Sequence, residues 1–219
     1  MHTPAFPKNL SADALPSALP LPAWSRAPGR SPLDVTIRPP GSKSITNRAL
    51  LLAALGSGTS TLKHALIEAD DAQRMLSAIQ QLGASVNTTD PDSIQITGVA
   101  AQWNLPPEGT TLDLNNAGTA TRFLAASALL AGAPLTITGN ARMQQRPIAE
   151  LATLLETLGC SIHYHATTGY PPLTITPPAK LANNQITIAP TQSSQFITAL
   201  MLVAVFLEHG LTISMVMRT

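Results

Sequence analysis

The sequence is poor in charge, in aromatic residues and in cysteine. Of its 219 residues only 11% are charged, and the formal net charge is +1. It therefore lacks the cationic surplus that drives binding to a nucleic acid backbone. No apolar run approaches the roughly 18 residues that span a bilayer, so no membrane partner is expected. The longest candidate, Phe196 to Leu207, is short and interrupted by Thr198. The one cysteine, Cys160, sits within Leu158-Gly159-Cys160-Ser161-Ile162. A lone thiol excludes a disulfide framework and a thiolate metal cluster, and this one is expected to be an inert core residue. His163 and His165 alternate on a predicted strand and His2, His64 and His209 are scattered, so no histidine pair has metal-ligand spacing. Neither GxxxxGK[ST] nor GxSxG occurs, which removes the phosphate loop of nucleotide hydrolases and the serine hydrolase elbow.

What is present is apolar content, 44% of the chain, ample for the core of one large domain or two small ones. Residues 1–30 carry Pro4, Pro7, Pro16, Pro20, Pro22 and Pro28 without a sustained apolar stretch. They are read as a disordered extension, with an organellar transit peptide as the alternative and a secretory signal disfavoured. The folded domain is expected over 31–219.

One stretch organises that domain: Pro39-Pro40-Gly41-Ser42-Lys43-Ser44-Ile45-Thr46-Asn47-Arg48, leading into apolar Ala49 to Leu55. Two prolines and a glycine end whatever precedes it, and the helix that follows offers free backbone N–H groups and a positive dipole end to an anion. A start near Ser42 or Ser44 sets Ser44 and Arg48 one turn apart, with Lys43 and Asn47 as the adjacent stripe. A strand at Leu33–Ile37 is predicted to feed this motif, and a helix to run from Ile45 to Leu55. A strand near Ser60–Leu62 comes next. A second helix follows, capped by the carboxylates of Asp70 and Asp71, with Ala72, Leu76, Ile79 and Leu82 on one face and Gly83 at its end. Strands near 85–88 and 93–97 close the unit.

The same order recurs about 75 residues later. A strand at Thr111–Leu114 leads through Asn115-Asn116-Ala117-Gly118-Thr119-Ala120-Thr121-Arg122 to a helix predicted at Phe123–Leu130. Strand Leu135–Thr138 precedes Gly139-Asn140-Ala141-Arg142-Met143-Gln144-Gln145-Arg146-Pro147, with Pro147 placed as the first residue of the next helix. Ile148, Leu151, Leu155 and Leu158 line that helix, Gly159 ends it, and strands near 161–164 and 173–176 follow. A third unit begins with a strand at Gln185–Ala189, Thr191-Gln192-Ser193-Ser194-Gln195, a helix at Phe196–Leu207 and a strand at Leu211–Met215. The sequence ends inside this unit, and a truncated domain is expected on that ground.

Each unit thus carries a polar cluster between its first strand and first helix. Lys43, Ser44 and Arg48 come from the first, Asn116, Thr119 and Arg122 from the second, Ser193, Ser194 and Gln195 from the third, and Arg142 and Arg146 from the second unit's other loop. Arginine forks match phosphate and carboxylate, lysine is a mobile point charge, and serine and glutamine orient hydroxyl groups. Taken singly, Ser44, Thr119 and Ser194 could be ordinary helix caps, Gly118 a turn glycine, and Arg48 and Arg122 solvated charges. Repetition at equivalent positions favours a ligand.

PPGSKSITNRALLLAAL, NNAGTATRFLAA, NARMQQRPIAEL and TQSSQFITALML, in this order, resemble four motifs of the 3-phosphoshikimate 1-carboxyvinyltransferase (EPSP synthase) family. The resemblance covers about residues 33–215. It implies an α/β fold, the inside-out α/β prism of repeated strand-helix-strand-helix-strand-strand units, and the N-terminal domain of a two-domain enzyme about twice this length. It also implies transfer of the enolpyruvyl group from phosphoenolpyruvate to the 5-hydroxyl of shikimate 3-phosphate. By that resemblance Lys43 touches phosphoenolpyruvate and the attacking hydroxyl, Lys43, Ser44, Arg48, Ser193, Ser194 and Gln195 bind shikimate 3-phosphate, and Gly118 and Arg146 hold phosphoenolpyruvate. Asn116, Thr119 and Arg122 support them. No cofactor is implied, and a cytoplasmic, monomeric enzyme is. The family's acid/base carboxylates belong to the half not represented here. Asn115 and Phe123 depart from the family pattern around the glycine loop. The related UDP-N-acetylglucosamine carboxyvinyltransferases, or a non-catalytic anion-binding module of the same fold, are the alternatives.

Overall fold

The structure is a computed structural model that describes residues 39–90, 93–189 and 193–216. The predicted strand at 33–37, residues 1–30, Thr191, Gln192 and the terminal Met217-Arg218-Thr219 lie outside the described residues.

The elements follow the repeat. The first unit holds α1 (Lys43–Leu55), β1 (Thr59–Lys63), α2 (Asp70–Gln81), β2 (Ser85–Asp90) and β3 (Ser93–Thr97). The second holds β4 (Thr110–Asp113), α3 (Gly118–Ser127), β5 (Leu135–Thr138), α4 (Ala149–Thr157), β6 (Ser161–Tyr164) and β7 (Leu173–Thr176). The third holds β8 (Gln185–Ile188), α5 (Ser194–Ala204) and β9 (Thr212–Met215).

Strand pairing shows the same equivalence. In the second unit the order is β4-β5-β7-β6, with β4 parallel to β5 and the other pairs antiparallel. The order β1-β3-β2 repeats the last three places, and the parallel pair β8-β9 repeats the first two. Even single contacts recur. The hydroxyls of Thr59 and Thr97 meet at 2.8 Å and those of Thr136 and Thr174 at 2.7 Å, each pair 38 positions apart. Both α2 and α4 end on a glycine with positive φ, Gly83 at 103° and Gly159 at 104°. Beyond each, an N–H reaches back to the helix, Ala84 to Ile79 O and Cys160 to Leu155 O, both at 3.0 Å.

Helices lie inside and sheets outside. Every residue of α3 is buried, and α3 packs on α1, α2 and α5. Phe123 and Leu124 sit there with Leu50, Leu51, Met75, Ile79, Ala199 and Leu200, each large side chain contributing about 1.5–3 kcal/mol of burial. The sheets keep one face in solvent, as the alternating exposure of β1, β3 and β7 records. Among the described residues no helix is long and apolar enough to cross a membrane.

Three boundaries correct the sequence reading. α3 starts at Gly118 rather than Phe123. The polar run does not break the helix because its side chains bond back to it: Thr121 Oγ1 donates to Ala117 O at 3.0 Å and Arg122 Nη1 to Gly118 O at 2.8 Å. Pro147 is not the first residue of α4, whose N-cap is Ile148 at φ −131°. The N-cap of α2 is Ala69, without a side-chain cap. Asp70 and Asp71 stand in its first turn with other partners.

Candidate functional site

In the first corner Ser42, not Ser44, caps α1, its hydroxyl accepting from Ile45 N at 3.4 Å. Ser44 is therefore free of capping duty and exposed on the first turn. Its carbonyl accepts from Arg48 Nη1 at 2.8 Å. Asn47 Nδ2 donates to Lys43 O at 3.0 Å, yet Asn47 Oδ1 is buried with no hydrogen-bond partner. Lys43 Nζ lies 3.4 Å from Asp71 Oδ1 at the start of α2.

The second corner is tighter. Ala117 is the N-cap of α3 and has no capping side chain, so Thr119 is not a cap either. Arg122 is 8% exposed, which overturns its reading as a solvated charge. Burial, and next the charge of Arg146, hold its pKa below the ordinary arginine value. Arg146 Nη1 donates to Asn116 O at 3.2 Å, and its guanidinium lies directly over Gly118, so that a side chain there would collide with it. Gly118 is thus no turn glycine but the floor under an arginine. Asn116 Oδ1 and Arg122 Nε are buried without partners. Among the described residues no carboxylate lies within ion-pair distance of Arg48, Arg122 or Arg146. Arg142 is exposed beside Gln145 and Arg146 in a shallow cleft.

The third corner is capped by Ser193, whose hydroxyl accepts from Gln195 N at 3.3 Å. Ser194 is the first residue of α5 and is exposed, and Gln195 is half-buried.

Long-range contacts bring the corners together. Arg48 Cζ stands 5.2 Å from the ring centroid of Phe123, and Arg122 Cζ 5.3 Å from that of Phe196. Asn115, at φ 47°, donates through Nδ2 to Asp70 Oδ2 at 3.2 Å and accepts through Oδ1 from Asn140 Nδ2 at 2.8 Å. Neighbouring carboxylates of α2 therefore hold Lys43 on one side and, through Asn115 and Asn140, the loop of Arg146 on the other. The sequence reading missed Asp70, Asp71, Asn140 and the receiving role of Phe123 and Phe196. The adjacent acids before a helix were a visible signal, but their partners are distant in sequence.

An α/β repeat domain that gathers arginines and a lysine near helix N-termini carries the kind of donors by which proteins hold small anions. The family model of EPSP synthase (3-phosphoshikimate 1-carboxyvinyltransferase) matches residues 28–218, and the chain belongs to that family. The 3-phosphoshikimate 1-carboxyvinyltransferase of Shewanella halifaxensis is 45% identical over 170 residues, 77% of this chain and 39% of that protein. The one of Methanoregula boonei is 41% identical over 177 residues, 81% and 41%. The pentafunctional AROM polypeptide 2 of Lodderomyces elongisporus is 42% identical over 194 residues, 85% of this chain and 12% of that one. The solved EPSP synthase of Acinetobacter baumannii superposes with a TM-score of 0.71 at 26% identity, over 82% of this chain and 40% of that one. The chain thus spans about two fifths of the length of these EPSP synthases.

Proposed function

We propose that residues 39–216 form the shikimate 3-phosphate side, and part of the phosphoenolpyruvate side, of an enolpyruvyl-transfer site. The observation that carries this reading is where the domain leaves polar groups unsatisfied. Among the described residues the buried side-chain atoms without a partner are Asn47 Oδ1, Asn116 Oδ1 and Arg122 Nε, all in the helix-end corners, beside arginines that no described carboxylate neutralises. Burying such groups unpaired costs about 1–3 kcal/mol each; an anionic oxygen of the ligand can accept from Arg122 Nε, whereas the two amide oxygens, being acceptors, call for donors such as the ligand's hydroxyl groups.

In this reading Ser44, Arg48, Ser193, Ser194 and Gln195 grip the phosphate and ring hydroxyls of shikimate 3-phosphate. Arg146 over Gly118 holds phosphoenolpyruvate, and Asn116, Thr119 and Arg122 support it. Lys43 swings from Asp71 to the reacting oxygens. The 5-hydroxyl gives up its proton and adds to C2 of phosphoenolpyruvate while C3 takes a proton, and C3 then loses a proton as inorganic phosphate leaves C2 of the tetrahedral intermediate. The fixed cations stabilise the developing charge without a metal or organic cofactor. The residues that transfer protons belong to a second domain, and closure of the two halves supplies proximity and water exclusion. A cytoplasmic, monomeric whole enzyme, which the family resemblance implies, is part of the same proposal.

Calorimetric titration of this chain with shikimate 3-phosphate tests it. Weak saturable binding, lost in Arg48→Met, together with no phosphate release when both substrates are supplied, is the expected result. Binding of inorganic phosphate with indifference to shikimate 3-phosphate would favour a non-catalytic anion-binding module instead, and turnover by the chain alone would contradict the two-half mechanism.

A further inference from the structure

Two arginines of this domain are held in the same unusual way. Arg48 and Arg122 each donate Nη1 to the carbonyl four residues back, at 2.8 Å in both cases. Each then lays its guanidinium over a phenylalanine of the next repeat, at 5.2 and 5.3 Å. The two stacks form a relay. Arg122 and Phe123 are consecutive in α3, so their side chains diverge by about 100° around the helix. Phe123 faces back to receive Arg48 from α1 while Arg122 reaches forward to Phe196 on α5. Both rings are core residues, Phe123 0% and Phe196 4% exposed, and are therefore fixed platforms.

A ring is a chemically distinct partner for a cation in an anion site. A carboxylate would orient the guanidinium but neutralise it and compete with the ligand. An aromatic face attracts it through the quadrupole and leaves the charge whole. Arg48 and Arg122 meet aromatic faces and no described carboxylate, whereas Arg74, one turn further along α2, pairs with Asp70.

We propose that Phe123 and Phe196 are positioning residues, each seating the arginine of the preceding repeat so that it is oriented yet uncompensated toward the bound anion. The identity of the anion rests on the reading above; the seating does not.

The test uses the full chain with Phe123→Leu, which removes the face but keeps an apolar side chain, and Phe123→Tyr, which keeps the face. Phenylglyoxal modification followed by mass spectrometry reads each arginine separately and needs no ligand. In Phe123→Leu, Arg48 is expected to react several-fold faster while Arg74 is unchanged, and Phe123→Tyr to return Arg48 to the wild-type rate. Phe196→Leu is expected to do the same to Arg122, and it serves as the second site if Phe123→Leu unfolds. An unchanged rate at the matching arginine, or equal acceleration of all arginines, overturns the proposal. In titrations with shikimate 3-phosphate, Phe123→Leu is expected to weaken binding by about 2- to 30-fold, the range of one cation–π contact. Wild-type affinity in Phe123→Leu overturns the positioning role while leaving the substrate reading intact. A wild-type chain that does not bind shikimate 3-phosphate removes that reading, and the modification rates still decide the seating.

Discussion

A β-carbon on Gly118 would stand 2.5 Å from Arg146 Cζ, so the guanidinium fills the volume that any other residue at 118 requires. Gly118→Ala brings a gain in helix propensity of about 1 kcal/mol and a clash with a movable side-chain end, which costs about 1–3 kcal/mol. Arg146 is half-buried and tied by a hydrogen bond to Asn116 O, so it yields. Stability in a urea titration is expected to stay within about 2 kcal/mol of wild type, while phosphoenolpyruvate affinity falls by about tenfold, the worth of one displaced charge-assisted hydrogen bond. Undiminished affinity would remove Arg146 from the site.

Arg122 is a buried cation that also feels the positive charge of Arg146. A lowered pKa in a base means that folding disfavours the protonated form. The cost is present in full at every pH below the folded pKa and is relieved only as pH rises through it toward the ordinary arginine value. At neutral pH, Arg122→Met is thus expected to raise stability by about 1 kcal/mol or more while weakening anion binding. Thermal melts with and without phosphate separate the two effects. Wild type should gain about 2.7 kcal/mol at a phosphate concentration 100 times its dissociation constant, and the variant less at the same concentration. A variant destabilised in the absence of phosphate would contradict this account.

Much of this was legible in the chain because it is local. The glycines that end α2 and α4, the apolar faces between them and the order of strands all follow from short-range pattern, and the repeat doubled every signal. What escaped the sequence was set by partners distant along it. Asn116 to Arg122 reads as loop because two threonines and an arginine interrupt it, and only burial of α3 on α1 and α5 makes helix the better answer there. Asp70 and Asp71 read as caps because cap chemistry is local, whereas Asn115 and Lys43, their actual partners, are brought in by the fold. The corners were visible as clusters; the stacks that order them were not.

Cys160 reports on the core. It is buried, and burial pushes its pKa up to about 12 from a model-thiol value of 9.0. A raised pKa in an acid means that the unfolded chain loses its proton first. Stability from this group is therefore unchanged below about pH 9 and falls between there and about 12, by at most about 1.4 kcal/mol per pH unit. The stability that wild type holds over Cys160→Ala in urea at pH 8, from the buried sulfur, should shrink at pH 10.5. Thiol reagents should label Cys160 at the rate of unfolding. Rapid labelling of the folded chain would mean the thiol is accessible.

The equivalence of the units makes a prediction with two matched arms. Gly83 and Gly159 hold φ of 103° and 104° at the ends of α2 and α4, so an alanine at either pays about 1–2 kcal/mol for a conformation that L-residues avoid. They differ in what covers them. A β-carbon on Gly83 would lie 2.8 Å from Asn104 Cβ, one on Gly159 3.2 Å from Ala182 Cβ. Both neighbours belong to the segments that leave their units and bond back to the same helix end, Asn104 N to Leu82 O and Ala182 N to Leu158 O. The first contact is too short for real carbon atoms and the second only tight. Gly83→Ala is expected to cost about 1 kcal/mol more than Gly159→Ala, since overpacking adds to backbone strain. Chemical denaturation of both variants checks the order, and a larger loss at Gly159 would show that the two unit ends are not built alike.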